Sequence, residues 1–255
     1  MKETKPDYPP STVREIQEIL LPHHHPAPRG YSIFGRNLPA QEISGDYFDI
    51  FTLSPQRTAI TIADVSGKGI STSLLMATCR SALRSCAPLH SSTKETLCHL
   101  NRLLYPDIKE GTFITMIYAI LDSSTHTLEI SRAGHEIPLL LSTQHSPPHL
   151  TSIKESRGLA LGLDSGETFD ALLTPTTIHL QPGDTFVAFT DGLNEAFNPH
   201  QEQFGLTRLK EALITHASAD LEKLCSLILH AVKNHVSTTS FHDDITLLLL
   251  RRELN

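Results

Sequence analysis

Apolar residues recur along this chain with two different spacings. Three short runs, 58–63, 185–190 and 245–250, are almost wholly apolar or small, which predicts strands buried on both faces. In longer segments, apolar residues three or four positions apart predict helices. These helical segments are 70–83, 94–105, 206–217 and 221–235.

The middle of the chain predicts hairpins. Segments 113–121, 127–132 and 137–142 are separated by turn residues, and we expect them to form a meander of three adjacent strands. Segment 144–158 is polar and contains prolines, which predicts a loop. Hairpins with helix pairs inserted between them favour α+β layers over alternating βαβ units. Because no Gly/Ser-rich linker interrupts the pattern, one main domain is expected.

The N-terminal segment predicts a separate helix. Thr12 to Glu15 has the spacing of a capping box, and Pro22 ends the helical pattern. We therefore divide the chain into an N-terminal helix and linker, 1–28, and a main domain, 29–255. The apolar face of this helix either packs on its own domain or contacts a partner. That face consists of Val13, Ile16, Ile19 and Leu20.

Composition excludes several classes of partner. The net charge of -7 and the pI near 6.1 argue against a nucleic-acid or anionic-membrane surface. No apolar run approaches the ~20 residues of a membrane span. The polar N-terminus does not resemble a signal peptide, so we expect a cytoplasmic protein. The cysteines lack metal or redox spacing, which predicts reduced, partly buried thiols: Cys79, Cys86, Cys98 and Cys225.

Aspartates at the ends of apolar runs are the main chemical signal. Asp64 and Asp191 each end such a run, Asp243 and Asp244 precede another, and Asp46 lies in a Ser-Gly-Asp turn. A carboxylate at the mouth of a buried strand is costly unless it is paired or binds a cation. The repeated pattern therefore predicts a cluster of hard oxygen ligands for Mg²⁺ or Mn²⁺.

Two local motifs add detail. Gly67-Lys68-Gly69 does not fit a P-loop, because Ile62 replaces the first glycine and Gly69 replaces the Ser or Thr after the lysine. A sharp strand-to-helix turn, whose backbone N–H groups can face an anion, fits better. Asp191 and Glu195 are four residues apart, so in a helical turn both face the same way; a plain surface pair is the alternative.

Together, these motifs resemble the metal-dependent (PPM-type) serine/threonine protein phosphatases. The chain is most similar to their bacterial branch, which includes the stage II sporulation protein E phosphatase and the sigma-factor-regulating phosphatases. The stretches that carry the resemblance follow the family order from 11 to 251. They include Ser44-Gly45-Asp46-Tyr47-Phe48-Asp49, Asp64-Val65-Ser66-Gly67-Lys68-Gly69, Arg132-Ala133-Gly134-His135, Gly158-Leu159-Ala160-Leu161-Gly162-Leu163, Thr190-Asp191-Gly192 and Asp243-Asp244-Ile245-Thr246.

The resemblance implies an α+β fold in which two antiparallel β-sheets form a sandwich flanked by helix pairs. It implies two Mn²⁺ or Mg²⁺ ions and a water that attacks the phosphoryl group. The implied metal ligands and catalytic residues are Asp46, Asp64, Asp191 and Asp243, with the backbone carbonyl of Val65 as a further ligand. The implied substrate contacts are Gly67, Lys68 and His135, and Glu195 and Asp244 are expected to support the metal ligands.

Two departures from the eukaryotic members leave roles open. Ser66 stands where those enzymes carry a histidine thought to protonate the leaving group. His135 and His242 are the candidates for that role, with a structural hydrogen bond as the alternative for each. No arginine matches the phosphate-binding arginine, so Lys68 is the candidate substitute, with a solvated loop lysine as the alternative.

The expected function is therefore a phosphoserine/phosphothreonine protein phosphatase. The implied substrate is a phosphorylated protein such as an antagonist of an anti-sigma factor. The alternatives are a catalytically silent binding module of the same pathway and a small-molecule phosphohydrolase. Relatives usually carry a sensor before the N-terminal helix, and only ten residues precede it here. We therefore expect control through a homodimer or a separate activator that contacts this helix.

Overall fold

Ten strands form two antiparallel sheets in the computed structural model, which describes residues 19–20, 22, 25–237 and 241–254. The first sheet has the order β1-β10-β9-β6-β7, and the second has the order β2-β3-β4-β5-β8. The first sheet comprises β1 Tyr31–Leu38, β10 Ile245–Arg252, β9 Thr185–Phe189, β6 Leu139–Ser142 and β7 His149–Ser152. The second comprises β2 Tyr47–Ser54, β3 Arg57–Val65, β4 Ile114–Asp122, β5 Thr127–Ala133 and β8 Thr176–His179.

Helices lie between these strands in the described residues. They are α1 Ile70–Cys86, α2 Thr93–Leu104, α3 Glu167–Leu172, α4 Asp191–Asn194, α5 Gly205–Thr215 and α6 Leu221–Val236, with 3-10 turns at Ala87–Leu89 and Tyr105–Asp107. Side-chain caps begin two of them: Ser92 accepts from the Glu95 N–H before α2, and Asp220 accepts from the Lys223 N–H before α6. All four predicted long helices are therefore present.

The layers follow from the alternation of side chains along each strand. In β3, Ile60 and Ile62 point toward the other sheet, whereas Ala59 and Ala63 point toward α1 and α2. The helices α5 and α6 cover the outer face of the first sheet in the same way. Because β3 is buried on both faces, its sequence is a nearly continuous apolar run. The predicted sandwich with flanking helix pairs is confirmed.

Two predictions about the middle of the chain are wrong. The third strand of the expected meander, β6, pairs with β7 and β9 in the first sheet, while β5 pairs with β8. The apolar pattern of β6 suits either sheet, so the sequence does not indicate the crossing. The expected loop 144–158 contains β7, an edge strand whose residues alternate only between exposed and half-buried. Such a strand shows no apolar run.

The predicted N-terminal helix lies mostly outside the described residues. Ile19 and Leu20 are helical, and Ile19 is 72% exposed. The His25 ring packs against the rings of Phe34 and Phe48, with centroid distances of 5.1 and 5.8 Å. The boundary between 28 and 29 stays a prediction.

Strand β1 pairs with β10 along its whole length. The pairing runs from Tyr31 opposite Arg252 to Leu38 opposite Ile245. No helix within the described part of the chain has both the length and the apolar character needed to span a bilayer. The four cysteines are free and buried, as the sequence predicted.

Candidate active site

The four aspartates that the motifs single out lie at one end of the sandwich. Asp46 immediately precedes β2 and Asp64 is the next-to-last residue of β3, in the second sheet. Asp191 follows β9 and Asp243 precedes β10, in the first sheet. Because each of these strand pairs is antiparallel and in register, the end of one strand lies beside the start of its neighbour. Each sheet thus contributes two carboxylates to the same end.

Hydrogen bonds across the two sheets hold the most buried of these carboxylates. The hydroxyls of Thr190 and Thr246 both donate to Asp46 Oδ2, each at 2.7 Å. Thr246 in turn accepts from Asn37 Nδ2 at 2.8 Å. These three partners were not predicted, although both threonines belong to the motifs that contain Asp191 and Asp243. The sequence feature that could have indicated them is a threonine beside a strand-end aspartate, as Thr190 stands beside Asp191.

The carboxylates raise one another's pKa values. Burial, and then the charge of Asp64, raise the pKa of Asp46 well above its ordinary value. Burial and Asp191 raise the pKa of Asp64 to about 7. Burial, Asp243 and Glu195 raise the pKa of Asp191. The negative charge of the cluster is therefore only partly balanced, which is the condition that a bound cation would relieve.

A further acidic side chain, which the sequence analysis missed, extends the cluster. Burial, followed by the charges of Asp191 and Glu195, raises the pKa of Glu136. Glu195 itself is exposed at the end of α4, and its N–H donates to the Asp191 carbonyl at 2.8 Å. The predicted i, i+4 relation between Asp191 and Glu195 is thus present. Glu136 follows His135 in the chain and carried no motif signal of its own.

Lys68 is the cation that contacts the cluster among the described residues. Its Nζ lies 3.3 Å from Asp243 Oδ1, and it also donates to the His242 carbonyl. Its charge lowers the pKa of Asp191, against the larger effects that raise it. Both partners of this ion pair are about half exposed, at 47% and 53% of their side-chain surface. The pair is therefore solvated and weak.

Asp244 positions the loop that precedes Asp46. Its two carboxylate oxygens accept from the N–H groups of Ala40 and Gly45, each at 2.7 Å. Its backbone also packs tightly against the opposite motif. A Cβ at Gly192 would lie 2.0 Å from the Asp244 carbonyl oxygen, which explains the glycine after Asp191. Asp244 thus acts on the position of Asp46 through the loop.

His135 lies inside the protein, with 4% of its surface exposed. Its Nδ1 and Thr115 Oγ1 are 2.8 Å apart. Burial lowers its pKa to about 3, so the ring is neutral near pH 7. The structural hydrogen bond considered as the alternative role for this residue is present. His135 is therefore not among the substrate contacts proposed below.

Ser66 is fixed by two backbone contacts with Phe113. Its N–H donates to the Phe113 carbonyl, and its hydroxyl accepts from the Phe113 N–H, both at 2.9 Å. These bonds join the Gly67–Gly69 turn to the segment that leads into β4. The serine therefore has a structural role at the position where eukaryotic members carry a histidine.

The donor set fits hard divalent cations, although the carboxylates are not yet arranged around one point. Within the described residues, no three His, Cys, Asp or Glu side chains stand close enough to bind one metal ion. Asp46 faces the two threonines, and Asp243 faces Lys68. Asp64, Asp191 and Asp243 retain some exposure, so their side chains have room to turn. Their carboxylate oxygens and shared negative charge are the features that suit Mg²⁺ or Mn²⁺.

A small cavity opens beside the cluster. Its volume is about 110 Å³, and its lining combines charged and aromatic side chains. The residues that line it include Lys68, Asp191, Glu195, Phe197, His242 and Asp243. The ring centroids of Phe197 and His242 are 6.5 Å apart, in an edge-to-face arrangement. The His242 side chain thus lies next to the carboxylates, unlike that of His135.

Comparison with known proteins decides the family. The model of the Stage II sporulation protein E (SpoIIE) family matches residues 54–253. The chain belongs to the SpoIIE family. The match includes Asp64, Asp191 and Asp243, and it identifies the chain as a phosphatase domain of the SpoIIE and PP2C type. The predicted family is confirmed.

Relatives of known name agree with this assignment. The chain is 30% identical to the phosphoserine phosphatase RsbU of Bacillus subtilis over 250 residues, which cover 94% of this chain and 68% of RsbU. It is 29% identical to the protein IcfG of Synechocystis over 266 residues, which cover 94% of this chain and 40% of IcfG. The SpoIIE-family chain thus spans less than half the length of IcfG.

A solved structure confirms the fold. The PP2C domain of SiaA from Pseudomonas aeruginosa superposes with a TM-score of 0.77 at 20% sequence identity. The superposition covers 95% of this chain and 94% of the SiaA domain. The two five-stranded sheets with helices on their outer faces are therefore the PP2C-like α+β fold.

Proposed function

We propose that this SpoIIE-family domain is a metal-dependent phosphatase that hydrolyses phosphoserine or phosphothreonine in a protein substrate. One observation carries the proposal. Four aspartates from two sheets lie at one end of the sandwich, and burial and neighbouring carboxylates raise the pKa values of Asp46, Asp64 and Asp191. A bound divalent cation would relieve this repulsion among the carboxylates. The name and sequence of RsbU support the phosphoserine assignment.

The residues that would hold two Mn²⁺ or Mg²⁺ ions are Asp46, Asp64, Asp191 and Asp243, with the backbone carbonyl of Val65. When bound, such ions lower the pKa of a water and neutralise charge on the phosphoryl oxygens. The protein holds Asp46 in place through Thr190 and Thr246. Asp64 would be a ligand that interacts with carboxylates of both sheets, because its charge raises the pKa of Asp46 and the charge of Asp191 raises its own pKa.

Other residues position the ligands and the substrate. Asp244 fixes the loop before Asp46 through Ala40 and Gly45. Lys68 and the Gly67 backbone are the proposed contacts of the phosphoryl group, since Lys68 lines the cavity beside Asp191 and Asp243 and Gly67 precedes it in the same turn. Lys68 pairs with Asp243 in the present structure, so it must exchange part of that contact for a substrate oxygen.

His242 is a better candidate than His135 for the residue that protonates the leaving group. The His242 side chain is exposed and lines the cavity with Asp191 and Asp243. His135 is buried, and burial lowers its pKa to about 3. A general acid must reach the leaving oxygen directly or through one water. His242 is proposed for this role because it lines the same cavity as Asp191 and Asp243.

The proposed substrate is a phosphorylated protein of a partner-switching pathway, such as an antagonist of an anti-sigma factor. The test is phosphate release from candidate phosphoproteins with and without Mn²⁺ or Mg²⁺. We expect release that needs the added ion, stops in excess EDTA, and is lost in Asp191→Asn. Full activity in EDTA would contradict the proposal.

The same assay separates the alternatives. Faster release from small phosphometabolites than from phosphoproteins would favour a small-molecule phosphohydrolase. Metal binding detected by calorimetry, together with no release from any substrate, would favour a silent binding module.

Homodimerisation or an activator acting through the N-terminal helix is a further proposal. Substituting Leu20 with Ser should then change association or activation while metal affinity is kept.

A further inference from the structure

A second cavity, of about 360 Å³, shares Lys68 with the cavity beside the carboxylate cluster. We call it the lysine cavity, and its lining includes Ser66, Lys68, Ser71, Asp107, Lys109 and Thr112. Lys68 also lines the cavity that contains Asp191 and Asp243. The two cavities therefore meet at this side chain. A substrate whose phosphoryl group lies at the aspartates has neighbouring residues within reach of the lysine cavity.

The two walls of the lysine cavity are fixed before any ligand binds. Ser66 and Phe113 exchange two hydrogen bonds of 2.9 Å, which join the turn before α1 to the opposite wall. The Thr112 N–H donates to the Lys109 carbonyl at 2.9 Å and closes a turn in that wall. Ile108 anchors the same segment in the apolar core beneath α1 and α2. A fixed site loses little entropy on binding.

The lysine cavity has an excess of positive charge in a chain whose net charge is -7. It is lined by two lysines, Lys68 and Lys109, and by one carboxylate, Asp107. Among the described residues, Lys109 belongs to none of the ion pairs. Its charge is therefore available to a ligand, whereas that of Lys68 is shared with Asp243.

Hydroxyl groups supply further donors. Ser66 Oγ accepts from the Phe113 N–H, so its own proton remains available to a ligand. Ser71 and Thr112 add two more hydroxyls to the lining. An ionised carboxylate accepts hydrogen bonds at both oxygens and donates none. The lining thus matches a carboxylate in charge and in hydrogen bonding.

We propose that the lysine cavity binds an acidic side chain of the phosphoprotein substrate, within about three residues of the phosphoserine. An extended peptide covers about 10 Å in three residues, and the lysine cavity shares Lys68 with the cavity that Asp191 and Asp243 line. The inference rests on the proposed function and adds a sequence preference to it. Lys109 is the specificity-determining residue, and Asp107 weakens the preference.

The test compares phosphoserine peptides that differ only in having Glu or Ala at each of the three positions on either side. The full chain is assayed with Mn²⁺, and the measured quantity is the ratio of kcat/KM for the acidic peptide to that for the neutral one. We expect the ratio to exceed one at one or two positions. In Lys109→Gln the ratio should fall about three-fold, since solvated charge pairs are weak. In Lys109→Glu it should fall below one.

Two matched variants sharpen the result. Asp107→Asn removes the opposing charge from the same wall, so the ratio should rise about two-fold. Lys233→Gln removes an exposed lysine from α6, on the other sheet, and should leave the ratio and the rates unchanged. A ratio that is the same in wild type and Lys109→Glu overturns the proposal. A fall caused equally by Lys233→Gln does so too, because the effect would then reflect net charge alone.

Peptide binding repeats the comparison without turnover. Fluorescence anisotropy of the same labelled peptides gives Kd for wild type and for Lys109→Gln. Tighter binding of the acidic peptide, lost in the variant, supports the lysine cavity even where no phosphate is released. In that case the absence of phosphate release counts against the proposed function alone. Equal Kd values for acidic and neutral peptides overturn the proposal.

Discussion

Asp46 and Asp49 are equally buried but have different environments. Asp46 immediately precedes β2, and Asp49 is the third residue of that strand. Asp46 and Asp49 each expose 1% of their surface. Asp49 accepts two hydrogen bonds from Arg84 on α1, at 2.6 and 2.7 Å, and Arg80 lies 3.6 Å away. Asp46 has two threonine hydroxyls as partners and Asp64 as its nearest charge.

The difference between them is the counter-charge. The protein supplies a bidentate guanidinium for Asp49, which joins α1 to the second sheet and needs nothing from outside. For Asp46 it supplies neutral donors and further carboxylates, so the balancing charge must come from a ligand. Burial of an acid alone therefore does not distinguish a structural aspartate from a metal ligand. The charges within a few ångströms of it do.

The largest expected effect is on the paired aspartate. Asp49→Asn should lower the free energy of unfolding by about 3 kcal/mol, because it leaves Arg84 without its partner. The measurement is urea unfolding followed by circular dichroism. The rate per folded molecule should change little. A double variant with Arg84→Met should recover part of the loss. Unchanged stability in Asp49→Asn would remove the contrast between the two aspartates.

The unpaired carboxylates should show the opposite behaviour. Asp64→Asn and Asp243→Asn should each lower the rate with Mn²⁺ by roughly a hundred-fold or more, because a metal ligand is lost. Neither variant should unfold the domain, since each relieves repulsion among the carboxylates. Steady-state kinetics checks the expected loss of rate, and thermal unfolding of the same samples checks that the domain stays folded. Wild-type rates would refute the ligand assignment.

A smaller effect is expected from the hydroxyls that hold Asp46. Thr246→Val keeps the shape of the side chain and removes its donor, so metal affinity should fall about ten-fold. Isothermal calorimetry with Mn²⁺ measures the affinity directly. Thr61→Val is the matched control, because Thr61 is equally buried but donates to the Ile117 carbonyl within the sheet. Equal losses in both variants would mean that the effect is general loosening of the sandwich.

The last expected effect concerns pH in protein freed of metal by EDTA. The folded pKa of Asp64, about 7, is above its ordinary value of 3.8, so the folded state favours the protonated form. The stability that this gives is complete below 3.8 and is lost as pH rises to about 7. The Tm of wild type minus that of Asp64→Asn should therefore decrease over this range. Each kcal/mol corresponds to about 2–4 °C. A constant difference would contradict the coupling.

The sequence predicts the parts of this molecule that depend on local pattern. The α+β layers, the four long helices and the strand-end aspartates follow from apolar spacing and from short motifs, and the two-sheet sandwich follows from the family resemblance that those motifs carry. The ion pair of Asp49 with Arg84 joins residues 35 positions apart, and nothing near either residue marks it. Glu136 likewise reaches the cluster through the fold.

The wrong predictions share one cause. Strand β6 crosses to the first sheet after the Gly134-His135 turn, although its apolar spacing equals that of a third meander strand. Strand β7 is an exposed edge, so burial imposes no pattern on it. In both cases, the sequence records how a strand is buried but not which strand lies beside it.

The pairing of β1 with β10 sets the distance between the flanks of the domain and its chemistry. Ile245 and Leu38 pair at the end that carries the aspartates, and Arg252 and Tyr31 pair at the other end. Eight extended residues span about 24 Å. The backbone after β10 therefore leaves the sheet at the end opposite the aspartates. A movement of that segment could affect the aspartates only if it were transmitted along the whole of β10.

The backbone before β1 has a shorter route. It returns along the sheet, so that His25 contacts both Phe34 and Phe48. Phe48 lies two residues after Asp46 in the chain. Through the rings of His25 and Phe48, the described part of the N-terminal flank therefore contacts the strand next to a proposed metal ligand. Of the two flanks, this one contacts the second sheet nearer to the carboxylates.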